Sequence, residues 1–410
     1  MFIFNNLSKY IILLFFTVFI LSCHRNIETG RTSDQDQELY QKAVEIAHNT
    51  LITDGHIDLP YRLSNKMEDV SQRTESGEFD YVRAKEGGLD APFMSIYIPS
   101  EYEEKGGGMA LADSLMEMVR SIAQNNPDKF ALAVSPEEIL ENFKEGLISL
   151  PMGLENGTPI NGKLENIDYL YEQGIRYITL THGKDNHICD SSYDTTRTWN
   201  GLSPFGREVV KKMNETGIMV DVSHISDDAF YQVMELSTVP VIASHSSCRH
   251  FTPGFERNMS DEMIRLLAEK NGVIQINFGS NFLDSASREQ SAANNTVIEM
   301  YIKEQNLASD SPEAQRYAEE VRILNPVYSD VTVVADHIDH VVKLVGVNFV
   351  GLGSDFDGVG DTLPEGLKDV SDYPNLIFEL LKRGYSEADI RKICHENVFR
   401  VWNEVEKGRN

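Results

Sequence analysis

The chain has 410 residues, 41% hydrophobic and 25% charged, enough apolar material for a large core that needs no disulfide stapling. Its 64 acidic against 37 basic residues leave a formal charge of −27, which repels phosphate backbones and argues against a nucleic-acid partner. Four cysteines without a CxxC spacing argue against a thiolate zinc site.

At the N-terminus, Lys9 precedes an apolar run from Tyr10 to Leu21 and then Ser22-Cys23. A run this short, ending at a small residue, has the form of a secretory signal and not of a membrane span. Ile20-Leu21-Ser22-Cys23 resembles the lipobox of bacterial lipoproteins, cleaved before the cysteine. The expected organisation is a signal peptide over 1–22, a lipidated Cys23 anchoring the protein to a membrane of the cell envelope, a polar tether over 23–39 and one catalytic unit over 40–406. In an exported chain Cys189, Cys248 and Cys394 allow at most one disulfide.

From residue 51 onward, short β-branched or apolar runs alternate with helical stretches. Strands are expected at Leu51–Asp54, Phe93–Ile98, Leu147–Leu154, Ile175–Leu180, Ile218–Val222, Val241–Ser244, Val273–Asn277 and Phe349–Gly353. Several are apolar nearly throughout, as strands covered on both faces are. Helices are expected at Gly108–Ala123, Glu137–Glu145, Gly206–Glu215, Asp227–Leu236 and Asp261–Glu269, with Ser260 suited to cap the last. Ser285 to Tyr328, rich in Glu, Ala, Gln and Lys, interrupts the alternation and reads as a helical insertion before the last strand unit. Pro374 to Val405 reads as closing helices. Eight strand–helix units predict an α/β fold, a (β/α)8 TIM barrel.

A barrel gathers the carboxyl ends of its strands on one face, where active sites are built. His56 and Asp58 end the first run, two apart and so on one side of an extended chain. Glu155 ends the third run, between Gly153 and Gly157. His182, His224 and His245 follow the fourth, fifth and sixth, in Thr181-His182-Gly183, Asp221-Val222-Ser223-His224 and Ser244-His245-Ser246. Asp355 follows the eighth, in Gly353-Ser354-Asp355-Phe356-Asp357-Gly358. Singly, each has a plain structural explanation, such as an ion pair or a satisfied core histidine. Independent structural residues would not gather at the ends of six strands. Three imidazoles (His56, His224, His245) and three carboxylates (Asp58, Glu155, Asp355) suit two divalent metal ions bridged by one carboxylate. Mixed N/O ligation fits zinc best, with Fe, Mn or Co next. His24, His48, His395 and the helical pair His337 and His340 read as structural. His187 and His250, in loops on the catalytic side, are candidates for substrate contact.

These segments, together with Asp54-Gly55-His56-Ile57-Asp58-Leu59-Pro60, Thr179-Leu180-Thr181-His182 and Glu396-Asn397-Val398-Phe399-Arg400-Val401-Trp402, resemble the membrane (renal) dipeptidase family of zinc metallopeptidases. The resemblance spans roughly residues 40 to 404. It implies that His56, Asp58 and Asp355 bind one zinc, that His224 and His245 bind the other, and that Glu155 bridges them. It further implies that His182 faces the scissile carbonyl and that Arg257 receives the dipeptide's terminal carboxylate, with Arg249 a competing anchor. Asp355 would take the proton of the water that becomes the attacking, metal-held hydroxide and deliver it to the leaving amine. Dipeptides are the implied substrate, extending to those with a C-terminal D-residue, and a homodimer is left open. The chain departs from the family pattern in Asn277-Phe278-Gly279, where an aromatic residue is common after Phe, in Glu155-Asn156-Gly157, and in the 285–328 insertion. Two rival readings stand beside this one. Another two-metal barrel hydrolase, acting on lactones, cyclic amides or phosphoesters, would have no use for Arg257. A non-catalytic peptide-binding lipoprotein would be expected to have lost a ligand.

Overall fold

The computed structural model describes the backbone of residues 28–409 and the side chains from Asp34, so the signal run and Cys23 lie outside the described residues. Eight parallel strands form one sheet in chain order: β1 (Ile52–Ile57), β2 (Leu89–Tyr97), β3 (Met152–Glu155), β4 (Ile175–Thr179), β5 (Met219–Asp221), β6 (Ile242–Ala243), β7 (Val273–Ile276) and β8 (Val350–Leu352). The sheet curls until its ends meet. Asp355 N donates to His56 O at 3.0 Å and Asp58 N to Phe356 O at 2.9 Å. Buried Asp54 adds to the seam, its carboxylate accepting from Ser354 N at 3.1 Å and from the Tyr373 hydroxyl. The result is the (β/α)8 barrel, and the seam passes between the ligand candidates His56, Asp58 and Asp355.

The expected helices are present, with Asp227–Leu236 and Asp261–Glu269 at the expected bounds. Ser203, Ser226 and Ser260 each accept a backbone N–H from the first turn of the helix they precede, which stops those helices fraying toward the catalytic face. The run Leu147–Leu154, read as one strand, is two. Ile148–Leu150 pairs with Phe130–Leu132 in a separate ladder, and only Met152–Glu155 enters the barrel. Pro151 divides them: it has no N–H to continue the first ladder, while its carbonyl accepts Met94 N at 2.8 Å in the barrel.

The opposite, amino end of the barrel is plugged. Trp402, from the Asn397–Lys407 helix, is fully buried with its ring 5.2 Å from that of Phe93, which lies 5.4 Å from Tyr177. Asn397 Nδ2 pins this helix to Val347 O at 2.7 Å and Val350 O at 2.8 Å. At the other terminus, the polar stretch expected as tether is helical from Glu28. That helix buries side chains only from Ala43 onward, with Tyr40 edge-on to Phe378. The insertion forms two helices, Ser285–Glu304 and Pro312–Leu324, around a small core of Ile298, Ala318 and Val321 with Tyr301 stacked on Tyr317. Cys189, Cys248 and Cys394 are buried and free.

Candidate metal centre

At the carboxyl ends of the strands lies a cavity of about 700 Å³ lined by Asp58, Glu155, His182, His224 and Asp355 among others. His56 and His245 sit beneath it, fully buried. Glu155 is the hub. Its Oε1 lies 3.1 Å from His224 Nε2 and 3.4 Å from His245 Nε2, while Oε2 lies 3.4 Å from His56 Nε2. Asp58 Oδ2 approaches His56 Nε2 to 3.5 Å. Potential ligand atoms of His56, Asp58 and Glu155 all lie within 4.8 Å of one another, as do those of His56, His245 and Asp355. The six residues predicted from the strand ends are thus brought together.

The surrounding hydrogen bonds show what the cluster is built to hold. The Asp221 carboxylate accepts from Ser223 N at 3.1 Å, Ser244 N at 2.8 Å, Ser244 Oγ at 2.6 Å and Thr179 Oγ1. Ser244 spends its one hydroxyl hydrogen on that carboxylate, so toward His245 Nδ1, 2.7 Å away, it can only accept. His245 therefore carries its hydrogen on Nδ1 and presents a bare Nε2. That lone pair points at Glu155 and at His224 Nε2, only 2.9 Å away. His56 Nδ1 is held by the Tyr177 hydroxyl at 2.8 Å, and its Nε2 has no hydrogen-bond partner among the described residues. The bare Nε2 of His245, converging with buried carboxylate oxygens, calls for a cation.

The titration tendencies agree. Burial, then the nearby Arg257 for His224 and His56 for His245, hold both imidazoles well below the usual range, so they stay neutral ligands. Burial pulls His56 down as well, but Tyr177, Glu155 and Asp58 outweigh it and hold His56 well above its usual value. Burial works against the charge of Glu155, but His56 first of all outweighs it and holds Glu155 well below its usual value. Burial raises Asp58, and it raises Asp355 to about 7, helped by the charges of Asp58 and Glu155. Three carboxylates this deep are costly unless paired with cations. The donor set fits divalent ions.

Backbone geometry aims two ligands. His224 and Asp355 adopt φ of 70° and 65°, a left-handed conformation that turns each side chain back over the barrel mouth. Gly358 lets the chain pass under the carboxylates: a Cβ there would lie 2.2 Å from Asp58 Oδ2 and 2.4 Å from Asp355 Oδ1.

His182 is at the rim, a quarter exposed, with Nε2 3.7 Å from Glu155 Oε1 and Nδ1 3.5 Å from the Tyr97 hydroxyl. Burial lowers its pKa, which favours the neutral imidazole. Arg249 is committed elsewhere, its guanidinium bonded to both oxygens of Asp227 at 2.7 and 2.6 Å. Arg257 is buried, bonded to Ser246 Oγ and His245 O, with Nε unpaired and no carboxylate partner among the described residues. His187 is paired with Glu103 at 2.8 Å and His250 stacks on His340 at 4.4 Å, and neither lines the cavity. His337 and His395 are bonded to backbone as structural residues. Phe282, three residues beyond Gly279, lines the cavity, and a Cβ on Gly279 would lie 3.0 Å from its ring.

A profile described as membrane dipeptidase (peptidase family M19) matches residues 40–410. The chain belongs to the membrane dipeptidase family. It is a metallo-dipeptidase, a hydrolase of peptide bonds, and its ligand clusters serve metal ions. An uncharacterized dipeptidase of Schizosaccharomyces pombe is 30% identical over 377 residues, 88% of this chain and 82% of that protein. Dipeptidase 3 of Mus musculus is 29% identical over 383 residues, 91% of this chain and 68% of that one. The probable dipeptidase PvdM of Pseudomonas aeruginosa is a solved structure with TM-score 0.79 and 26% identity, covering 91% of this chain and 99% of its own. A metallopeptidase of Rhodobacter sphaeroides, liganded with a phosphinate mimic of L-Ala-D-Ala, shares the fold with TM-score 0.71 at 24% identity, over 87% and 99% of the chains.

Sequence reasoning missed the layer behind the ligands: Tyr177 on His56, Asp221 through Ser244 on His245, and Asn277 Nδ2 on Asp355 Oδ2 at 2.7 Å. The available signal was polar residues inside otherwise apolar strand runs, Tyr177 in β4 and Asp221 in β5.

Proposed function

We propose that the family member described here is a two-metal dipeptidase, with His56, Asp58 and Asp355 holding one ion, His224 and His245 the other, and Glu155 shared. The observation that carries this is the pair of converging Nε2 atoms, His245 fixed as a bare lone pair by Asp221 through Ser244, over one shared carboxylate oxygen. Zinc suits this mixed N/O set. When bound, the ions supply Lewis acidity and lower the pKa of a water toward neutrality.

The chain's own groups do the rest. Arg257 receives the substrate's terminal carboxylate through its free Nε–H side. That anchor selects dipeptides, because a longer chain has its carboxylate too far from the reacting bond. His182, neutral, donates from Nε2 to the carbonyl oxygen as it gains charge. Asp355 moves the proton: Asn277 occupies Oδ2, leaving Oδ1 to take a hydrogen from the attacking water and pass it to the leaving amine. A C-terminal D-residue is accepted in this reading, which the resemblance supports. The lipobox-like Ile20-Leu21-Ser22-Cys23 supports attachment to the cell envelope through a lipid on Cys23.

The test is a metal titration of stripped protein, followed by mass spectrometry for bound ions and by hydrolysis of Ala-Ala with L or D at the second position. Activity should need two equivalents per chain. Full activity of folded, metal-free protein, or saturation at one equivalent, would refute the two-metal reading.

A further inference from the structure

A second hollow of about 380 Å³ adjoins the catalytic cavity and shares Tyr193, Asn281 and Phe282 with it. Its far wall is Arg288, from the first turns of the Ser285–Glu304 insertion helix. The Arg288 guanidinium lies 3.4 Å over the face of Phe255, whose ring is 5.9 Å from Phe282. On the near side, the Arg257 guanidinium lies 5.4 Å from the Phe282 ring. Two cations thus cap the ends of one aromatic wall. In a chain with 27 excess negative charges, Arg288 is half-buried and yet has no ion pair and no side-chain hydrogen bond among the described residues. Burial works against its charge and the Tyr193 phenol beside it works for it. A half-buried guanidinium with its donors free, held flat by an aromatic face, is a preorganised receptor for a carboxylate.

We infer that this hollow is an anionic subsite, and that it takes an acidic side chain on the C-terminal residue of the dipeptide. The inference rests on the reading that Arg257 holds the main-chain carboxylate. A residue anchored there lays its side chain along Phe282, and the continuation of that wall leads past Phe255 to Arg288. Glutamate, with a longer reach than aspartate, is the better occupant. The insertion therefore builds specificity, which explains why a helical excursion of this chain sits at the catalytic face.

The experiment compares kcat/KM for Ala-Glu and Ala-Gln, which have the same shape and differ in charge, on the metal-replete full chain. Ala-Ala is the reference substrate. Wild type should prefer Ala-Glu, and Arg288→Gln should cut the Glu/Gln ratio about tenfold, chiefly through KM, the loss expected for one charge-assisted contact. Arg288→Glu should cut it further, and Arg288→Lys should restore part of it. Taking a ratio cancels any general loss of activity in a variant. A wild-type ratio near one, or a ratio that Arg288→Gln and Arg288→Glu leave unchanged, overturns the subsite while Ala-Ala turnover leaves the dipeptidase reading standing. Failure of wild type on all three substrates would instead strike the dipeptidase reading.

Discussion

His337 couples the protein's stability to pH in a way that can be worked from its surroundings. It is fully buried, its Nδ1 accepts from Cys248 N at 3.0 Å, and its Nε2 donates to Leu283 O at 2.8 Å. Both partners are backbone, just beyond Ser246 and Ser247 on one loop and just after Phe282 on another. Only the neutral ring satisfies both, because a second hydrogen on Nδ1 would face the Cys248 N–H. Burial, partly offset by the Leu283 carbonyl, holds its pKa at about 4. In the unfolded chain the value is about 6.5. Between these values the unfolded state binds a proton that the folded state does not, so stability rises with pH across the window. The contribution is complete above about pH 6.5 and lost as pH falls toward 4. The loss amounts to about 2 kcal/mol by pH 5 and about 3 kcal/mol once both states are protonated. The assay is urea unfolding at pH 7 and pH 5 of wild type and His337→Asn, whose amide oxygen can still accept Cys248 N–H. The variant should be weaker at pH 7 but lose about 2 kcal/mol less than wild type on acidification. Other titrating groups act in both proteins and cancel. Equal losses in the two would refute a buried neutral His337.

Three further outcomes follow from the metal centre. Ser244→Ala removes the acceptor that fixes the His245 tautomer and should weaken metal affinity about 10–100-fold in a chelator competition while leaving the circular dichroism unchanged; unaltered affinity would show that the hydroxyl does not orient the imidazole. Gly358→Ala drives a Cβ against the carboxylates of Asp58 and Asp355 and should abolish turnover and metal retention, so an active variant would mean the loop can withdraw. Because His56 is held above its usual pKa by Tyr177, Glu155 and Asp58 against burial, metal must displace a proton there. Loading should therefore weaken as pH falls, and equal metal content after dialysis at pH 6 and pH 8 would contradict that.

The alternation of apolar runs and helices made the barrel legible in the sequence, because strands covered on both faces cannot hide their composition. The ligands were legible for a related reason: His56, Glu155, His224, His245 and Asp355 each stand at the end of such a run, where the fold forces them together. Pro151 was the punctuation mark within Leu147–Leu154, and its meaning depended on Phe130–Leu132 being near enough to pair with the residues before it. The choice between Arg249 and Arg257 was not legible. Asp227, which occupies Arg249, is 22 residues earlier in the chain, and no spacing rule links them. Tyr177 looks like any aromatic residue of a buried strand until its hydroxyl is seen against His56.

The two halves of the site differ in how they are held. Three of the six metal-ligand candidates are tied from behind by another strand: His56 by Tyr177 of β4, across the barrel, His245 through Ser244 to Asp221 of β5, and Asp355 by Asn277 at the end of β7. Those ties join strands of the barrel, so these three donors are held as rigidly as the barrel itself. The groups proposed to face the substrate come from loops: Tyr193 after β4, Phe255 and Arg257 after β6, Phe282 after β7, and Arg288 on the insertion. They touch one another mainly through aromatic faces, and Tyr193 is well exposed. Loops on a rigid scaffold can change side chains without moving the reacting centre. In the proposed function, reaction class is therefore set by the strands and substrate choice by the loops. The insertion, which follows β7 and ends before β8, lengthens the loop layer beside Phe282 and brings Arg288 to the same hollow.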